Sequence, residues 1–205
     1  MAKTGLLVFL ISFGALLANA QNINFNPKPL KKDIQKLYGK EEINLVEIEI
    51  PDSLYNDILL DQGIIYSTRS EDINLGFAYV GRIYSCRSGG CGMDDTPVDF
   101  VSIDEDFEYF DYFIIFDTSL SVKKIRVYNY QATHGHEVGS KGWLKQFIGY
   151  KGDEKLEYGK NIDSISGATI SANAITYNVQ ESCRYLDLLE PILENHQLYF
   201  KAMVK

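Results

Sequence analysis

The stretch Asp163-Ser164-Ile165-Ser166-Gly167-Ala168-Thr169 concentrates more chemistry than any other in the sequence. Ser166 is a good N-cap for the apolar-periodic run that follows it. Gly167 and Ala168 remove bulk from the first turn, and Thr169 then falls at the third helical position. A hydroxyl placed there stands among N–H groups with no helical partner, at the positive end of the helix dipole. Phosphate is favoured at such a place. The residues therefore describe an anion site with a hydroxyl at its centre. An ordinary capped helix start is the alternative that the same residues allow.

Other reactive side chains are fewer. Cys86-Arg87-Ser88-Gly89-Gly90-Cys91 is a short loop with two adjacent Gly, long enough to close as a disulfide. A structural disulfide, a redox-active one, two free thiols or a metal site all remain open for Cys86 and Cys91. His134-Gly135-His136 together with that pair could supply four zinc ligands, but two donor pairs so far apart are a weak signal. The two histidines read instead as loop residues near a cofactor or solvent, and no metal site is assigned. Cys183 falls on a helical stripe with Ala172, Ile175, Val179 and Leu186 and reads as a small core residue. No Gly-x-Ser-x-Gly elbow and no nucleotide-binding Gly loop occurs.

Asp163-x-x-Ser166-Gly167-Ala168-Thr169 resembles the attachment motif of the FMN-binding domain family. That family includes the flavin-carrying subunits of the Rnf and sodium-translocating NADH:quinone reductase complexes. The resemblance implies FMN held covalently, its phosphate esterified to Thr169 by a separate flavin transferase. Asp163, Ser166, Gly167 and Ala168 would form the recognition sequence. A second segment, His136-Glu137-Val138-Gly139-Ser140-Lys141-Gly142-Trp143, resembles a Glu- and Gly-containing segment that lies near the flavin in relatives. There the Pro is absent and the Gly spacing is shifted. The resemblance makes Glu137, Gly139, Lys141 and Gly142 candidate flavin contacts. The wider similarity runs from about Leu75 to Val179.

The rest of the chain must position these residues. Hydrophobic residues make up 45% and charged residues 23% of the 205, the proportions of a globular protein with one good core. Twenty Lys and Arg against 28 Asp and Glu give a net charge of −8, which excludes a general nucleic-acid binder. Three Cys are too few for a disulfide-stapled scaffold, an all-Cys zinc site or a Cys-ligated iron–sulfur cluster. Leu6 to Leu17 is an apolar run too short to span a bilayer, preceded by Lys3 and followed by Ala18-Asn19-Ala20. This pattern is that of a signal peptide cleaved after Ala20, and it predicts a periplasmic or extracellular protein.

After it, the pattern predicts helices over Pro29–Tyr38 and Pro51–Leu60, and strands over Ile43–Ile50, Leu75–Tyr84, Tyr109–Phe116 and Val122–Tyr130. The last two strands, joined by Asp117–Ser121, should pair antiparallel. A loop over Gln131–Ser140 and a helical turn over Gly142–Phe147 follow. Next come a polar connection over Lys151–Asp163, the longest helix over Ser166–Leu189, and a further one over Pro191–Phe200. The fold class is α+β, a single domain with a mainly antiparallel sheet flanked by helices. Residues 21–70 read as an N-terminal extension packed on a domain of residues 71–205.

Asp94 to Asp111 holds eight acids and no Lys or Arg. It reads as a solvated acidic edge, as a docking face for a basic redox partner, or as a calcium site, although its spacing does not match an EF-hand loop. The function expected is electron transfer by an exported flavoprotein, a redox component rather than a free-standing enzyme. Its partners would be the flavin transferase and a redox donor and acceptor, membrane-bound in one version. A flavin-dependent reductase acting on a soluble acceptor and a non-redox exported binding module are the alternatives.

Overall fold

The computed structural model describes residues 22–50, 63–87 and 107–193. Helix α1 (Lys28–Tyr38) follows Pro27, has a Pro in its first turn and is closed by Gly39. Five strands then form one antiparallel sheet in the order β1 (Asn44–Glu47), β2 (Ile64–Ser70), β3 (Ile73–Arg87), β4 (Phe107–Phe116) and β5 (Val122–Tyr130). Each strand pairs with its sequence neighbour. The chain continues through a 3-10 turn at His136–Gly139, helix α2 (Lys141–Leu144), another 3-10 turn at Lys145–Phe147, and helix α3 (Thr169–Leu188). Among the described residues no helix is long and apolar enough to cross a membrane.

The fold is therefore the expected α+β domain with a mainly antiparallel sheet. The β4–β5 hairpin forms as expected, turning on Asp117, whose Oδ1 accepts hydrogen bonds from Ser119 and Ser121. Three outcomes differ. Strand β2 carries Ser67-Thr68-Arg69-Ser70, a polar run that hides its strand character. It is nonetheless buried, because β1 and β3 flank it on both sides. Strand β1 stops at Glu47 instead of reaching Ile50. The long helix begins at Thr169 rather than Ser166. The expected helix over 51–60, most of that over 191–200, and the pair of Cys86 and Cys91 side chains lie outside the described residues.

Alternation along the strands gives the sheet two apolar faces. Phe77, Tyr79, Ile83, Phe110, Tyr112, Ile114 and Ile125 face α2 and α3, where Trp143, Phe147, Ala172, Ile175, Val179 and Leu186 complete the larger core. Ala78, Val80, Phe113 and Ile115 face α1, covered by Leu30 and Ile34. Asp33 fastens α1 to β5, accepting from Arg126 Nε at 2.6 Å and pairing with Lys124 Nζ at 2.8 Å.

Beyond α1 the second face is polar. Arg82, Asp111 and Asn129 stand side by side on β3, β4 and β5. Arg82 donates to both Asp111 oxygens, at 2.7 and 3.1 Å, and Asn129 Nδ2 donates to Oδ2 at 2.7 Å. The Arg82 guanidinium also lies 3.6 Å from the centre of the Tyr109 ring. Asp111 is only 1% exposed, so this end of the acidic stretch is a buried ion pair and not part of a solvated edge. Residues 94–106 of that stretch lie outside the described residues.

Gly76 is a place where only glycine fits. Its φ is +124°, and a Cβ there would fall 2.1 Å from the Phe116 carbonyl oxygen. Gly76→Ala is expected to lower stability by about 3 kcal/mol, from backbone strain and overpacking together. Urea unfolding would measure it.

Burial also sets the alkaline limit. The Tyr112 phenol, fully buried, is pushed above the usual tyrosine range. Tyr150 is pushed up to about 12 by burial and then by neighbouring anionic groups. The Cys183 thiol is pushed up to about 12, chiefly by burial and then by Asp153. Raised acid groups stay neutral in the fold while the unfolded chain ionises from about pH 8.5 for thiols and about pH 10 for phenols. Stability is therefore present in full below about pH 8.5 and is lost as pH rises towards 12. Unfolding midpoints between pH 7 and pH 11 should be flat and then fall.

Candidate functional site

The seven-residue motif is held from behind by side chains of the preceding turns. Trp143 Nε1 donates to the Asp163 carbonyl at 2.7 Å, and the Asp163 N–H donates to Gln146 Oε1 at 2.7 Å. Tyr158 Oη accepts from the Ile165 N–H at 2.8 Å and lies 3.2 Å from the Ile165 carbonyl, to which it donates. Trp143 and Phe147 stack edge to face at 5.3 Å, which seats the indole in the core. The side chains of Asp163, Ser166 and Thr169 are exposed.

A tight turn follows. The Ala168 N–H donates to the Ile165 carbonyl at 3.3 Å, and Gly167 has φ +77° with open space where a Cβ would stand. The helix cap is Ala168, which has no side-chain acceptor, and its carbonyl accepts from the Ala172 N–H at 2.9 Å. This corrects the expectation that Ser166 caps the helix and places Thr169 third. Thr169 is the first helical residue. The Gly167 turn uses up the residues that a Ser166 cap would have needed in helical conformation. The consequence favours the anion reading: among the described residues no side-chain cap occupies the first-turn N–H groups, and Thr169 is exposed at the head of the helix. Ile170, next to it, is 42% exposed and offers an apolar surface.

The loop after β5 is fastened to the same helix start. Tyr130 Oη donates to the His134 carbonyl at 2.5 Å and lies 3.3 Å from Ser171 Oγ. Gly135, with φ +83°, packs so close that a Cβ would fall 2.6 Å from Ser171 Oγ. Phe110 stacks on the Tyr130 ring at 5.2 Å and holds it in place. Trp143 thus ties the segment His136–Trp143 to the motif at Asp163, and Gly135, just before the segment, packs on Ser171 in the first turn of α3. Within it Glu137, Lys141 and Gly142 are exposed, and Gly139 lies against Val127. Glu137 Oε1 sits 3.6 Å from His136 Nε2.

Sequence reasoning missed Trp143, Gln146, Tyr158, Tyr130 and Ser171 as supports. Their hydrogen bonds join residues up to 41 positions apart, and no local spacing marks such a contact. Cys183, by contrast, is 2% exposed within the expected stripe of Ala172, Ile175, Val179 and Leu186. Among the described residues no group of three or more His, Cys, Asp or Glu side chains is placed to hold a metal ion.

The family model of the FMN-binding domain matches residues 110–183, from β4 to the last turns of α3. The match supports flavin binding by this region, with FMN as the cofactor. The match includes the whole Asp163–Thr169 motif, the loop after β5 and α2. A search of curated proteins finds no match to the chain.

Proposed function

We propose that the chain is an exported electron-transfer flavoprotein that carries FMN as a phosphoester on Thr169 Oγ1. The observation that carries this reading is the exposed Thr169 hydroxyl at the first position of a helix whose cap leaves the N–H groups open. A phosphodiester there keeps its negative charge where the helix dipole favours it. The residues fit the group: Gly167 leaves the approach clear, Ile170 supplies an apolar surface, and Trp143 and Gln146 hold Asp163 in place. When bound, the flavin supplies the electron chemistry, and the protein supplies position and environment.

Export gives covalent attachment its purpose. Outside the cytoplasm a dissociable cofactor is lost to dilution, and an ester is not. The reading includes cleavage after Ala20, a flavin transferase for maturation, and a separate redox donor and acceptor. Coexpression with a flavin transferase tests it. The denatured band should fluoresce yellow-green under ultraviolet light, and the Thr169 peptide should gain the mass of one FMN less one water. A dark band beside a transferase active on a control would overturn the reading. N-terminal sequencing of the secreted protein should begin at Gln21.

A further inference from the structure

We propose that an acidic protein, a redox partner of the flavin, docks on the outer face of residues 141–151 with Ile148 at the centre of the contact. The partner's redox role rests on flavin attachment at Thr169. Val138 to Gly152 holds three Lys and no acid, in a chain with 28 Asp and Glu. Glu137 and Asp153 bound the stretch. Helix α2 and the 3-10 turn after it are continuous, so Lys141, Lys145 and Ile148 recur at helical spacing on one side. All three are exposed, while Trp143, Leu144 and Phe147 between them are buried. Ile148 is 45% exposed, and Lys151, three positions on, is exposed too. Among the described residues Lys123, Lys124, Lys155 and Lys160 each pair with a carboxylate, and Lys141, Lys145 and Lys151 do not.

The face is rigid and low. The Gly149 N–H donates to the Val122 carbonyl at 2.8 Å, and the Val122 N–H donates to the Tyr150 carbonyl at 2.9 Å. These bonds pin the end of the segment to the start of β5. Gly142 and Gly149 have open space where a Cβ would stand, so a partner can approach the backbone on either side of Lys145. A surface held in place loses little freedom on binding. An apolar centre within a charged rim is the anatomy of a protein interface, and small charged contacts suit transient electron-transfer encounters.

The same turns hold the attachment motif, through Trp143 and Gln146 on Asp163. A protein seated on Lys145 and Ile148 would lie about one helix diameter, roughly 10 Å, from Asp163. The sign of the face calls for an acidic partner, the reverse of what a docking role for Asp94 to Asp111 would require. A membrane is the poorer occupant. The net charge of −8 opposes an anionic bilayer, and three lysines with one isoleucine give a weak hold on it.

The probe is a plant-type ferredoxin, a small acidic one-electron protein. Amide NMR of the flavin-free chain with ferredoxin is run at about 0.1 M salt, where screening over about 10 Å leaves mainly local charge. Signals of Gly142, Lys145, Ile148 and Gly149 should shift, and those of α1 should not. Lys145→Glu with Lys151→Glu should weaken binding at least about tenfold. Lys32→Glu with Lys36→Glu makes the same charge change on α1, across the sheet, and should alter binding by no more than about twofold. Ile148→Ser should weaken binding with every charge kept. Lys141 is left unsubstituted, since it is also a candidate flavin contact. In the flavin-loaded chain, stopped flow should give the same order of rates for electron transfer from reduced ferredoxin, each ferredoxin losing one electron and the flavin gaining it. Equal effects of the two charge reversals, or shifts confined to other surfaces, would overturn the docking face. Cosedimentation with phosphatidylglycerol vesicles that is lost in Lys145→Glu with Lys151→Glu, without shifts from ferredoxin, would overturn the protein partner in favour of a membrane. A chain that gains no flavin mass overturns attachment at Thr169 and the partner's redox role, while the flavin-free shifts still decide the docking.

Discussion

Thr169→Val should abolish covalent flavin completely while leaving the fold intact. The substitution keeps the branched shape and removes only the hydroxyl that would carry the ester. Thr169 is exposed at the first helical position, and among the described residues its hydroxyl makes no hydrogen bond to another side chain that the change would break. Its carbonyl, which accepts from Asn173 Nδ2 at 3.1 Å, is unaffected by the change. The unfolding free energy should therefore move by no more than about 0.5 kcal/mol. The measurement is in-gel fluorescence and intact mass after coexpression with the transferase, beside a urea curve. Full loading in the variant, or flavin mapped to Ser166 or Ser171, would refute Thr169 as the attachment residue. Ser171 makes a poor substitute, because its side chain is 3% exposed under Gly135.

The second large effect lies on the opposite face of the sheet and concerns stability. Asp111→Ala should cost about 3–5 kcal/mol, because it removes the buried carboxylate to which the buried Arg82 guanidinium donates twice. The Arg82 side chain is 7% exposed and that of Asp111 1%, so water does not readily replace the lost partner. Asn129 loses its acceptor in the same step. Replacing both charges, as Arg82→Met with Asp111→Leu, should recover most of the loss, since two desolvation penalties disappear together. A double-mutant cycle read by urea unfolding would check both statements. A loss below about 1 kcal/mol in Asp111→Ala would mean that the pair is hydrated in solution. Flavin loading should follow the fraction folded in these variants, since none of the three residues touches the helix start.

These two predictions draw on different levels of the molecule. The Thr169 motif is local, with seven consecutive residues carrying their own turn and helix start, and the sequence displays it directly. It also displays β4 as the near-continuous apolar run Tyr109–Phe116, β5 over Val122–Tyr130, and α1, bounded by Pro27 and Gly39. Strand β2 was not legible. Ser67 to Ser70 has no hydrophobic period, and only pairing to β1 and β3 makes it a strand. The cap was misread for a related reason: Ser166 is the better cap by residue type, but the Gly167 turn spends it before the helix begins.

By itself, then, the sequence determined the fold class, the Asp163–Thr169 motif and the acidic net charge, because each is written in neighbouring residues or in composition. Tertiary structure alone decided three other things. It turned Asp111 from an apparent surface acid into half of a buried ion pair. It set Gly135 and Tyr130 against Ser171. It joined Glu108, Thr133 and His134 into one hydrogen-bonded line. Each of these depends on which strands lie side by side and on what packs across the sheet. Such contacts bridge residues distant along the chain, and no periodicity or motif encodes them.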